Sequence, residues 1–113
     1  MSYFHPEEEF QVWALEGYET AHRGSRYLIE FADTESYVCV FFAAFDSENS
    51  SELDIEDDNL LYDEFHQAVL QIIEVRSGGL RPYEEYLTLD YRDWPEHIID
   101  IDTGTVVYPT VPA

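Results

Sequence analysis

Apolar residues recur along this chain in more than one rhythm, and each rhythm predicts an element. Phe10, Val12 and Ala14 alternate with Gln11, Trp13 and Leu15, which predicts a first strand ending near Gly17. The polar segment Gly17 to Ser25 then reads as a turn around Gly24. Two aromatic and β-branched runs follow, Arg26 to Asp33 and Tyr37 to Phe45, separated by Thr34, Glu35 and Ser36 as in a β-hairpin. Val38, Val40, Phe42 and Ala44 fall on one side of the second run and Cys39, Phe41, Ala43 and Phe45 on the other. Apolar residues on both sides predict a central strand covered on both faces.

The next segment changes period. Leu61, Phe65, Ala68, Val69, Ile72 and Ile73 fall at i, i+4, i+7, i+8, i+11 and i+12, which predicts a helix from about Leu60 to Arg76. Asp58 or Asn59 suits its N-cap, Asp63 and Glu64 its first turn, Arg76 its last turn, and Gly78 or Gly79 its C-terminal turn. Alternation returns in Tyr83 to Tyr91, and HIIDID followed by TVVY predicts a closing hairpin with its turn at Asp102 to Thr105. The resulting class is α+β: an antiparallel or mostly antiparallel sheet of about five to six strands with one long helix packed on one face. Residues 1–113 are read as a single domain.

Composition sharpens this picture through charge. Asp and Glu number 25 against five Arg and no Lys, giving a formal net charge of -20. With 45% hydrophobic and 16% aromatic residues, the chain is too apolar for an acidic disordered tail and is expected to be globular. Such an excess of one sign costs folding stability through self-repulsion. It also disfavours direct contact with nucleic acid or with an anionic membrane. The lone Cys39 excludes an intrachain disulfide and is expected to be packed. No apolar run approaches the ~18 residues of a membrane span, and the start of the chain lacks a signal-like region, so a cytoplasmic protein is expected.

Catalytic and metal motifs fare poorly. Asp46 to Asp57 offers oxygen ligands at Asp46, Glu48 and Ser50, but Ser51 stands where a calcium loop needs Gly, Asp57 replaces the closing Glu, and the preceding residues read as a strand. His5, His22, His66 and His97 are scattered, with one Cys to help, so no metal ligand set and no cofactor is proposed. No nucleophile elbow or Gly-rich phosphate cradle is present, and carboxylate pairs such as Glu84 with Asp90 arise by chance in so acidic a chain. A non-enzymatic protein is expected.

Acidic residues cluster, and aromatic residues interleave with them. Nine carboxylates lie between Asp46 and Glu64, and seven more lie between Glu84 and Asp102. Carboxylates on one face of a strand recur every ~6.6 to 6.8 Å, close to two phosphate steps along a DNA strand at ~3.4 Å each. This pattern points to a small acidic inhibitor that blocks a basic, nucleic-acid-binding or nuclease-like protein, in the manner of a toxin immunity protein, an anti-CRISPR protein or another DNA mimic. The expected contact residues are Glu52, Asp54, Glu56, Asp57 and Asp58, with Glu84, Glu85, Asp90 and Asp93 as a second patch and Tyr86, Tyr91 and Trp94 as anchors. The alternative is an ordinary structural or regulatory domain of a salt-adapted organism.

Overall fold

In the computed structural model, residues 4–49, 54, 56 and 60–109 are described. Six strands form one antiparallel sheet in the order β4-β3-β2-β1-β5-β6: β1 Arg26–Glu30, β2 Ser36–Glu48, β3 Glu64–Ser77, β4 Tyr86–Leu89, β5 His97–Asp100 and β6 Thr105–Tyr108. Among the described residues one α-helix, α1 (Val12–Ala21), precedes the sheet, and short 3-10 turns lie at Pro6–Glu9 and Tyr91–Asp93. The α+β class and the antiparallel sheet are therefore as the sequence predicts, but the positions of helix and first strand are not.

The segment expected to be the long helix is β3. Its register along β2 runs from Ser36↔Ser77 to Glu48↔Glu64, interrupted by bulges. Two of the six residues in the supposed helical stripe, Leu61 and Ile73, are exposed. The same segment is rich in β-branched Val69, Ile72, Ile73 and Val75, which suit a pleated surface better than a helix. Gly78 and Gly79 therefore follow a strand, and the caps expected at Asp58 or Asn59 lie outside the described residues.

Conversely, the predicted first strand is helical. Val12 and Leu15, three residues apart, are both fully buried, whereas strand alternation would separate their faces. Gly17 lies inside α1. The helix is followed by Gly24 at φ +84, whose N–H donates to the Glu19 carboxylate at 2.9 Å. A residue without Cβ adopts that left-handed turn at little cost.

Both predicted hairpins are present. Tyr27 pairs with Cys39 and Ile29 with Tyr37, and Asp100 pairs with Thr105 across a turn in which Gly104, at φ +78, donates to the Asp100 carbonyl at 2.7 Å. Tyr27, Ile29, Tyr37, Cys39, Leu70 and Ile98 are fully buried and share one cluster with Val12 and Leu15. Burial raises the Cys39 thiol to about 12, so it is a packing group rather than a nucleophile at neutral pH. The prediction that β2 is covered on both faces fails beyond Cys39. Phe42 is 62% exposed and Phe45 is also exposed.

Candidate partner-binding surface

Many carboxylates of this acidic chain are engaged inside the fold. Asp100 is buried and accepts hydrogen bonds from the Tyr18 hydroxyl at 2.5 Å, the Ser25 hydroxyl at 3.0 Å and the Asp102 N–H at 2.9 Å. Burial alone would raise its pKa, but these donors outweigh it and hold the carboxyl below its ordinary value. Glu8, also buried, accepts from the backbone N–H groups of Phe4 at 3.0 Å and His66 at 2.9 Å. It thereby occupies a backbone donor of β3 beyond the Ala68↔Leu89 end of the β3–β4 ladder. His66 is held between two carboxylates, Nδ1 at 2.8 Å from Asp46 and Nε2 at 2.9 Å from Glu16.

Four of the five arginines are engaged as well. Arg26 pairs with Asp102, Arg76 with Glu74 and Arg92 with Asp90, while Arg81 reaches Asp33, Glu35 and Asp93. The Arg81 guanidinium also lies 3.9 Å from the centre of the Phe31 ring and that of Arg92 3.8 Å from the Phe65 ring, so both cations serve packing. Cations held in this way leave the surplus of negative charge to face solvent.

The residues expected to bind a partner divide into groups. Glu52, Asp57 and Asp58 lie outside the described residues, whereas Asp54 and Glu56 are exposed. Glu84 and Glu85 are exposed too, and neither pairs with a cation among the described residues. Asp90, by contrast, is buried and bonded to Arg92 and Gln67. Asp93 is exposed but tied to Arg81. Tyr91 donates its hydroxyl to Asp63 and stacks on His5 with ring centroids 3.7 Å apart. Trp94 is half-buried against the core, its ring 5.9 Å from that of Tyr108. Tyr86 is half-buried, its ring 5.4 Å from that of Phe42, so the second patch contracts to Glu84 and Glu85.

Glu84 and Glu85 lie far along β3 from its start. Tyr86 pairs with Gln71, and the Ile72 N–H donates to the Glu85 carbonyl at 2.7 Å, so Glu85 lies level with Ile72. The acidic loop enters β3 at Glu64, eight residues earlier, or roughly 27 Å along an extended strand at ~3.4 Å per residue. Where β4 pairing has ended, a groove of about 250 Å3 opens between Ile72, Ile73, Glu74 and Val75 on one side and Pro82, Glu84 and Glu85 on the other. Reading β3 as a helix concealed this groove, although the β-branched content of the segment was the signal for it.

Among the described residues no group of three His, Cys, Asp or Glu side chains is arranged to hold a metal ion, and no helix is long and apolar enough to cross a membrane. No protein-family model, curated protein or solved structure matches the chain.

Proposed function

We propose that this protein is a small acidic inhibitor that docks onto a basic protein, a nuclease or another nucleic-acid-binding effector, and occludes the cleft that takes phosphate. The observation that carries this reading is the charge of -20 together with the internal engagement of Arg26, Arg76, Arg81 and Arg92. A surface of that kind steers a cationic partner at long range and repels nucleic acid. On this reading α1 backs one face of the sheet, and contact is made through the other face and the exposed acidic segments. The inhibitor acts by occupancy and needs no catalytic group or cofactor. A cytoplasmic site of action accords with a single buried thiol.

The test is a cleavage assay with purified basic nucleases, foremost any encoded beside this gene. Protection of the nucleic acid, with an association rate that falls at least tenfold as KCl rises from about 50 to 500 mM, is the expected result. Absence of protection from every nuclease in the set would sink the reading. A chain that melts in low salt and folds only in molar KCl would instead favour the salt-adapted domain.

A further inference from the structure

We infer that the groove between Ile72–Val75 and Pro82–Glu85 is the seat for a cationic protein segment that inserts one apolar side chain flanked by Lys or Arg. This deepens the inhibitor reading and rests on it for the class of partner. The floor is apolar and accessible: Ile73 is 51% and Val75 59% exposed. Its volume of about 250 Å3 falls below the ~300 to 1,000 Å3 of most small-molecule sites, which suits a side chain better than a metabolite.

Charge decides the flanks of the ligand. Glu84 and Glu85 rim the groove without a cation of their own, while Glu74 is shared with Arg76 at 2.9 Å. An incoming Lys or Arg meets two unneutralised carboxylates beside an apolar slot, the arrangement of an anchor surrounded by a polar rim. An anionic or neutral apolar ligand meets the same slot with repulsion or with no gain. A second copy of this chain carries a charge of -20 and is repelled in the same way.

Two probes test the seat with the intact protein in nuclear magnetic resonance titrations: an Arg-rich peptide carrying a single central Leu, and the same peptide with Ser in place of Leu. The Leu peptide is expected to shift the amides of Ile73, Val75, Glu84 and Glu85 and to bind at least tenfold more tightly than the Ser peptide. Ile73→Ser should abolish that difference, and Glu84→Gln with Glu85→Gln should weaken both peptides while leaving the preference for Leu. Equal binding of the two peptides, or shifts confined to other surfaces, overturns the seat while leaving the inhibitor reading to its nuclease assay. Concentration-dependent dimerisation through these amides would also overturn it. If Ile73→Ser fails to fold, Val75→Thr, at an exposed β-branched position, serves the same comparison.

Discussion

The imidazole of His66 lies parallel to the indole of Trp13, with ring centroids 4.4 Å apart and planes 4° apart. The stack fixes the ring so that each nitrogen meets a carboxylate, Asp46 on the strand and Glu16 on the helix. Only imidazolium carries two N–H groups, so this geometry calls for the charged form. Burial pulls the pKa down, but the hydrogen bonds to Asp46 and Glu16 outweigh it, and the net direction is upward from 6.5. A raised folded pKa stabilises fully below the unfolded value, and the contribution is lost as pH rises through the folded value. Urea unfolding should show stability declining above neutral pH, and His66→Gln should be less stable by about 1 to 3 kcal/mol at pH 6 and flatter across that range. A wild-type profile that is flat from pH 6 to 9 would refute the charged bridge.

At the acid end one buried contributor is Asp100. Its depressed pKa means that its contribution is present above the ordinary carboxyl value of 3.8 and is lost as pH falls through the folded value. Asp100→Asn turns an acceptor of three donors into a group that presents its own N–H bonds to some of them. We expect a loss of about 2 kcal/mol at pH 7, from hydrogen bonds to a charged acceptor. Acid titration followed by near-ultraviolet circular dichroism should place the wild-type transition below about pH 4. The variant should lose part of that pH dependence.

Glu8 ties the first described residues to the β3 strand. Glu8→Ala leaves the N–H groups of Phe4 and His66 without their acceptor and should cost about 1 to 3 kcal/mol. Hydrogen exchange gives a local readout: the His66 amide should exchange faster, while Leu70, inside the β3–β4 ladder, should follow global stability alone.

Gly79 lies against a charge network. A Cβ built there would stand 2.2 Å from Glu35 Cδ, and Glu35 is buried and held by Tyr37 and Arg81. Gly79→Ala should therefore destabilise by about 1 to 3 kcal/mol through displacement of that carboxylate. Gly78→Ala meets only Val75 at 3.6 Å and is the matched control, with a change within about 0.5 kcal/mol. Melting temperatures of the two variants check the contrast.

What the sequence disclosed depended on whether one period stood alone. The hairpins of β1 with β2 and of β5 with β6 were legible because strand runs were separated by short turns. The segment Phe65 to Ile73 satisfied a helical stripe, yet it also places Ala68, Leu70 and Ile72 on one side of a strand, and pairing with β2 decided the outcome. Near the N-terminus, Val12 and Leu15 were too few to reveal a helix whose polar residues serve His66 and Tyr27 through Glu16 and Glu19. Of the expected contact residues, Asp54, Glu56, Glu84 and Glu85 are exposed and bound to no cation among the described residues. Asp90 was misread because the adjacent Arg92 that buries its charge looks, in sequence, like one more surface residue.

The position of β1 between β2 and β5 carries a consequence for synthesis. Its pairing with β2 is local, but Tyr27 finds Asp100 only when the far end of the chain has emerged from the ribosome. Until then one edge of β1 offers open backbone groups to any neighbouring strand. Once β5 has emerged, it competes with other nascent polypeptides for the same seat on β1. Net negative charge, repelling identical chains on one polysome, keeps that competition in favour of the native partner.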